Sequence, residues 1–370
     1  MKVFFPVEAL YPSQAGGVAN SVYWLAKNLA KKGVEPVIVA SDKGLGPGTP
    51  INRWIESESG KVIFVKTRSL NFPIRQTIVA LCNFYSADII HLSSIFYPVA
   101  FATAIFGRIF KKKIVWSIRG EMNKPALEHS RGRKRPILWC IKRLFRNHAL
   151  FHSTTDAETE VIRNVFGTNA KIFQLTNYIE VSPLAVRSPG KYILLLGRFH
   201  PIKGIDNLIK ALAISQGFLE SEYVLRIAGK GLTDVEKAIR DLVSEKNLSH
   251  KVTFAGHVEG REKEELLANA YVTIVPSHSE SFGIVVLESL AQNTPVIASK
   301  GSPWEVLDKE RIGFWAENSP EVLAQTLDKI LRMDMAEYDG YRERGRKFVV
   351  RNFDITENIT RWLEVYEGLK

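Results

Sequence analysis

The chain has 370 residues, 45% hydrophobic and 24% charged, with a net charge of +11. That length holds two domains, each with its own core, and the ordinary composition excludes a disordered, collagenous or solenoid protein. The two cysteines, Cys82 and Cys140, each lie in an apolar segment; they support neither a disulfide framework nor a metal site and are expected as buried free thiols in a reducing compartment.

The charge is uneven. Residues 1–185 hold 25 Lys and Arg against 12 Asp and Glu, an excess of +13, whereas residues 186–370 hold 25 against 27, a difference of −2. The asymmetry predicts an anionic partner for the first half, membrane or nucleic acid. The first residues turn polar too quickly for a signal peptide. The longest apolar run, residues 98–107, is far short of the about 20 residues that a membrane span needs. The expectation is a cytoplasmic protein whose membrane contact is peripheral, on the inner face of the plasma membrane.

In chain order, residues 2–7 read as a strand, 8–17 as a loop and 18–32 as a helix. Val18, Val22, Leu25, Ala26 and Leu29 recur on one face of that helix, and Gly33 stops it. Further strand-like runs follow at 36–40, 61–65, 88–92, 113–117, 149–153 and 171–175, separated by helical or mixed segments. Such alternation predicts a parallel sheet with helices on both faces and functional residues in the loops at the carboxyl ends of strands. Gly16 and Gly17 stand just before the first helix, with no G-x-G-x-x-G to suggest a dinucleotide. Arg119-Gly120-Glu121 follows the strand 113–117.

Between Arg131 and Arg146, seven of sixteen residues are Lys or Arg, alternating with Ile137, Leu138, Trp139, Ile141, Leu144 and Phe145. The pattern reads as a membrane-surface amphipathic helix with a tryptophan and, equally, as an ordinary packed helix with a solvated basic face. Its aromatics form no stacking platform, which argues against nucleic acid. A helix is expected at 156–166, and 182–190, with two prolines, two serines and a glycine, reads as a linker.

The second half repeats the alternation, with strands at 191–196, 223–228, 251–255, 271–275 and 296–298. Arg198 and Lys203 sit five apart in a glycine-bounded loop after the first of these and can clamp a diphosphate from two sides. From Pro276 the chain reads PSHSESFGIVVLESLAQNTPVIAS. Ser277, Ser279 and Ser281 are candidate N-caps for a helix beginning near Phe282, and Gly283 leaves room for close approach to its backbone. A helix start without bulk is an anion site. Carboxylates at Glu280 and Glu288, beside such a site, suit a ligand that carries both phosphates and hydroxyls, which describes a nucleotide sugar. Helices at 319–333, 337–352 and 355–369 close the chain.

The segment from Glu280 to Glu288, ESFGIVVLE, resembles the Glu-x7-Glu signature of retaining GT-B glycosyltransferases of glycosyltransferase family 4, and the resemblance extends over nearly the whole chain. It implies two Rossmann-like α/β domains facing a cleft: an acceptor-side domain at 1–182, a nucleotide-sugar domain at 191–352, and a C-terminal helix at 353–370 packing back on the first. By the same resemblance Arg198, Lys203 and Glu280 are catalytic, with Glu280 on sugar hydroxyls and Glu288 on the ribose. Gly16 and Gly17 match the family's Gly-Gly loop beside the donor diphosphate. Gly229 and Val258 border the base, and Ser281, Phe282, Gly283 and Ile284 complete the donor site. Asn177-Tyr178-Ile179-Glu180 is similar to the family's Asn-Gly-Ile-Asp turn, with Tyr178 replacing glycine. Many members carry a histidine near Arg119; this chain looks like an Arg-Gly variant found among polysaccharide-building members, which makes Arg119 and Glu121 acceptor-side candidates.

The function implied is transfer of a sugar, with retention, from a nucleotide-diphosphate sugar to a glycan or lipid-linked acceptor in surface polysaccharide or glycolipid synthesis. Neither metal nor cofactor is expected beyond the nucleotide sugar as co-substrate. The partners expected are that donor, the acceptor and an anionic membrane surface, and not nucleic acid. A nucleotide-sugar epimerase on the same architecture is the alternative enzyme; a basic membrane adaptor is the non-enzymatic one, and it leaves Arg198, Lys203 and Glu280 unused.

Overall fold

A computed structural model describes residues 1–13, 17–122, 131–186 and 190–369, less the side chains of residues 131 and 133. Gly16 lies outside the described residues, as does part of the basic cluster's side chains and of the expected linker. Two compact units emerge, Met1–Glu180 with Ile355–Lys370, and Val181–Asp354.

Unit 1 runs β1 (Lys2–Pro6), α1 (Gly17–Lys31), β2 (Glu35–Ser41), β3 (Trp54–Ser57), β4 (Gly60–Val65), α2 (Ile74–Asn83), β5 (Ile89–Ser93), α3 (Pro98–Ile109), β6 (Lys113–Ser117), α4 (Arg131–Phe145), β7 (Ala149–Ser153), α5 (Asp156–Phe166) and β8 (Ile172–Gln174). Its sheet has the order β3-β4-β2-β1-β5-β6-β7-β8, parallel except where β3 meets β4. The sequence reading lacks β3, a four-residue edge strand whose pattern, two half-buried residues then two exposed ones, is too short to show a period.

Alternate strand residues serve opposite faces, as the pleat demands. Phe4, Ile90, Ile114 and Trp116 pack with α2, α3, α4 and α5, whereas Val3, Phe5, Ile38 and Val115 pack on the other face. That second face is covered by α1 and by the chain's last helix, Ile355–Glu367, through Ile355, Ile359, Trp362 and Tyr366. Cys82 lies exposed on α2 and Cys140 half-buried on α4, both free. The expectation of buried thiols is corrected: apolar neighbours in sequence place a residue in a helix without saying which side it takes.

Unit 2 runs β9 (Tyr192–Leu196), α6 (Ile205–Leu212), α7 (Gln216–Glu220), β10 (Val224–Ala228), α8 (Thr233–Glu245), β11 (Val252–Gly256), α9 (Gly260–Asn269), β12 (Val272–Val275), α10 (Ile284–Ala291), β13 (Val296–Ser299), α11 (Val306–Lys309), β14 (Gly313–Ala316), α12 (Pro320–Leu331) and α13 (Met335–Phe353), and the chain then returns to unit 1 as α14 (Ile355–Glu367). The sheet is parallel, in the order β11-β10-β9-β12-β13-β14. The order reverses between β9 and β12, the switch point at which ligands bind in sheets of this kind. Strand β14, the edge partner of β13, is absent from the sequence reading because GFWA is only four residues long. Helix α10 starts at Ile284, not Phe282, and its N-cap is Gly283 at φ 78°, with no side chain capping it. The three serines do not cap the helix, because the chain enters it through a left-handed glycine.

Candidate functional site

The loops after β9 and β12 pack backbone against backbone at the switch point. Gly204 has φ 61°, and a Cβ there would lie 2.1 Å from the Pro276 carbonyl oxygen. Opposite, a Cβ on Gly301 would lie 2.4 Å from the His278 oxygen. His278 N donates to Ile202 O, and Glu280 N to Gly301 O, each at 2.8 Å. Only glycine permits such approach, and the result is a rigid frame around residues 276–283.

In that frame Lys203 Nζ meets Glu280 Oε2 at 2.5 Å. Ser277, fully buried, donates to the same oxygen at 3.0 Å. Glu280 is thus aimed by a cation and a hydroxyl, with a fraction of its surface left open. A Cβ on Gly283 would come within 3.0 Å of Glu280 Cγ and 3.3 Å of Trp304 Nε1. Phe282 is buried against the Trp304 ring, which donates its indole N–H to the Phe282 carbonyl. Ile284 opens the helix and Ser281 is exposed before it. The first N–H groups of α10 have no intrahelical acceptor, so the start of the helix carries partial positive charge.

Arg198 lies on the same β9 loop, exposed, with no ion pair among the described residues. His200 accepts from Ile202 N at 3.2 Å and caps the turn that presents Lys203. Glu288, on α10, has Nζ of Lys263 at 2.8 Å, with side chains 11% and 21% exposed respectively. Lys263 stands in α9, whose charged sequence GREKEELLAN reads as a solvated face; no signal in the sequence marks it as the partner of Glu288. Gly229, after β10, sits where a Cβ would strike the Gly197 oxygen at 1.8 Å. Val258, after β11, is buried against Tyr192, Leu194 and Ala228. The structure therefore brings Lys203, Glu280, Phe282, Gly283 and Ile284 into one constellation and puts Gly229 and Val258 at neighbouring strand ends.

In unit 1, Gly17 begins α1 and its carbonyl accepts from Ser21 Oγ at 2.9 Å. Arg119 holds φ 56°, left-handed for a non-glycine residue, which nearby bonds must stabilise. Its guanidinium donates to Asn177 Oδ1, while its Nε has no partner among the described residues. Burial lowers its pKa to about 10, and Glu158 and Tyr366 oppose that shift. Glu158 also ties Thr154 N at 2.7 Å and Gly120 N at 2.5 Å, bracing the turn. Glu121 accepts from Ser94 Oγ at 2.6 Å, Ile95 N at 2.5 Å and Phe96 N at 3.3 Å. Burial raises its pKa, and those three bonds pull it back. Both of its oxygens are occupied in holding the loop between β5 and α3.

Beneath Arg119 runs a buried chain of hydrogen bonds. His152 Nε2 donates to Leu175 O at 2.7 Å, which leaves its Nδ1 to accept from Ser117 Oγ at 2.7 Å. Ser117 then accepts from His91 Nε2 at 2.7 Å, and His91 Nδ1 accepts from Tyr366 OH at 2.6 Å. One carbonyl sets every direction in the chain, and both histidines are neutral in it. Burial is the first cause, holding His152 at about 3 and His91 well below its ordinary value, and the Arg119 charge adds to both.

Two family models match, "Glycosyltransferase Family 4" over residues 15–182 and "Glycosyl transferases group 1" over residues 179–348. An uncharacterized glycosyltransferase of Methanocaldococcus jannaschii is 36% identical over 151 residues, 40% of this chain and 37% of the relative. The chain spans less than two thirds of the length of the first curated relatives it matches. Among solved structures, the sucrose-phosphate synthase of Thermosynechococcus elongatus superposes with a TM-score of 0.81 at 21% identity, covering 100% of this chain and 98% of that one. HepE of Anabaena, solved with UDP and glucose, gives 0.77 at 17% identity over 99% of this chain and 100% of that one. With matching family models from residue 15 to residue 348 and two parallel-sheet Rossmann-like domains, the chain belongs to the GT-B glycosyltransferases, family 4.

Proposed function

We propose that this protein transfers a sugar, with retention of configuration, from a nucleotide-diphosphate sugar to a glycan or lipid-linked acceptor in surface polysaccharide or glycolipid synthesis. The observation that carries the reading is the Lys203–Glu280 pair, 2.5 Å apart beside the glycine-capped start of α10. Breaking a glycosidic bond to a diphosphate leaves two phosphates that gain charge, and fixed cations stabilise that charge without reorganising. Lys203, Arg198 and the N–H groups at Gly283 and Ile284 would meet it. Glu280, held by Ser277, would take the hydroxyls of the sugar, and Glu288 those of the ribose. On this reading no metal takes part. UDP bound to HepE, a neighbour in fold alone, supports a uridine donor.

The acceptor reading rests on Arg119 and Glu121, both at the carboxyl end of β6. Because Glu121 clamps residues 94–96, it would shape the acceptor side through that loop. The test is a panel of nucleotide sugars incubated without acceptor. Slow release of nucleoside diphosphate, unchanged by EDTA, is the expected result. Isomerised donor would make the protein an epimerase, and the absence of binding to any of them would end the enzymatic reading.

A further inference from the structure

The sheet face of unit 1 that carries α2, α3 and α4 is fully used on its inner side, by Ala80 and Phe84, Ala100 and Ala104, and Ile141 and Phe145. Its outer side is nonetheless apolar. On α2, Ile74 and Ile78 stand one turn apart at 71% and 57% exposure, with Phe72 at 77% just before them and Tyr85 at 64% just after the helix. On α3, Ile109 is 64% exposed and Phe110, which follows it, 48%. The two helices' patches meet at their carboxyl ends: the Tyr85 and Phe110 rings lie edge to face at 5.4 Å, and Lys112 Nζ lies 5.1 Å from the Tyr85 centroid. Arg108 of α3 donates to the Leu144 carbonyl, which ties the patch to α4. There Trp139 is 67% exposed, with Arg135 and Arg143 one turn to either side, both exposed.

The described charged residues of α2, α3 and α4 are all cations; beyond α4 on the same sheet face, α5 exposes Asp156 and Glu160. Arg75, Lys111, Lys113, Arg135, Arg143 and Arg146 are all exposed. From residue 66 to residue 148 the described acids are Asp88 and Glu121. Asp88 accepts from Lys2 N at the amino end of the sheet, and Glu121 is taken up by the loop 94–96. A second copy of the chain docked two-fold on α2, α3 and α4 would set cation against cation, with no carboxylate among the described residues of those helices. Three helices that expose aliphatic and aromatic side chains, and whose described charges are all cations, match the acyl boundary and headgroups of an anionic bilayer.

We propose that α2, α3 and α4 together form a docking face for an anionic lipid surface, with Phe72, Ile74, Ile78 and Trp139 entering the interface and the Lys and Arg rim meeting the headgroups. The sequence expectation was confined to the basic helix; the larger apolar share comes from α2 and α3. The proposal stands independently of the glycosyl-transfer reading, since the measurement involves no turnover. Full-length protein would be sedimented with vesicles of phosphatidylcholine alone, and of phosphatidylcholine with phosphatidylglycerol, at rising salt. Binding to the anionic vesicles alone, falling as salt rises, is expected. Ile74→Asp with Ile78→Asp should lower the partition coefficient about tenfold or more by placing charge at the acyl boundary. Lys111→Ala, Arg135→Ala and Arg143→Ala together should lower it about a hundredfold, at about fivefold per cation. All five side chains are exposed, so unchanged melting is expected and separates lost docking from lost fold. Wild type that ignores anionic vesicles at low salt overturns the proposal. So does binding that neither set of changes weakens, or self-association of the lipid-free protein that Ile78→Asp abolishes.

Discussion

Lys203 and Glu280 are each other's partner before any donor arrives, so each is positioned but also partly neutralised. A diphosphate entering beside Lys203 would share its ammonium, and the lysine would bridge phosphate and carboxylate. Lys203→Ala then removes charge from the leaving group and also strands Glu280 beside Ser277. Turnover should fall about 10²–10³-fold, as for loss of one preorganised donor. Arg198→Ala should fall by a similar factor with melting unchanged, because Arg198 is exposed and has no ion pair among the described residues. Single-turnover rates and thermal melts of both variants check this; near-normal turnover in either removes that residue from the proposed mechanism. Lys263 makes a different prediction. It holds Glu288 at 2.8 Å, so Lys263→Met should weaken binding of free nucleoside diphosphate in the same direction as Glu288→Ala, with little change in the rate of the bound donor. Titration calorimetry separates the two effects, and wild-type affinity in Glu288→Ala would remove the ribose assignment.

At the scale of elements, the entry into α10 is the part most dependent on one residue. Gly283 takes a left-handed φ of 78° between Glu280 and the Trp304 ring. An alanine there costs about 1–2 kcal/mol of backbone strain, and its methyl group would press on Glu280 Cγ at 3.0 Å. Gly283→Ala should therefore lower stability modestly and activity far more, since the side chain displaced is the proposed sugar ligand. A variant with full activity and reduced melting would mean that Glu280 tolerates the shift and is not positioned as proposed. The opposite end of α10 is held by two arginines of α13: Arg342 donates to Asn293 O at 3.0 Å and Arg346 to Ala291 O. Cations on the last carbonyls complement the helix dipole, so this short helix is braced at both ends.

At the scale of the whole chain, α14 begins after unit 2 and completes unit 1. Its Tyr366 hydroxyl starts the buried chain through His91, Ser117 and His152 to the Leu175 carbonyl. Both histidines are neutral when folded, with His152 near 3 against an ordinary 6.5. The unfolded chain therefore binds more protons than the folded one between those values, and stability rises with pH across that window. The full contribution is present above 6.5 and is lost progressively as pH falls toward 3. Each fully shifted histidine contributes a slope of about 1.4 kcal/mol per pH unit. Melting followed against pH should show it, and His152→Gln should flatten the dependence while lowering stability at neutral pH. An unchanged slope in that variant would mean that His152 does not carry the effect. Tyr366→Phe leaves His91 Nδ1 unpaired in the interior and should cost about 1–3 kcal/mol.

Local chemistry was enough to read much of this protein from its residues. Alternating apolar runs and helical stripes foretell two parallel α/β sheets, because burial on both faces writes itself into every strand. Gly197, Arg198, Lys203, Gly204 and the run from Glu280 to Glu288 were visible for the same reason: loops at strand ends that carry glycine and charge have few structural uses. Strands β3 and β14 were not visible, since four residues at a sheet edge hold too little pattern. The glycine N-cap of α10 was hidden by three plausible serines, because a left-handed entry is decided by packing against Glu280 and Trp304. Only the tertiary structure paired Lys263 with Glu288, joined Tyr366 to His91 across 275 residues of sequence, and placed Phe72, Ile74 and Ile78 on the outside. Each of these depends on which neighbours a side chain meets, and sequence spacing carries no record of contacts made between distant elements.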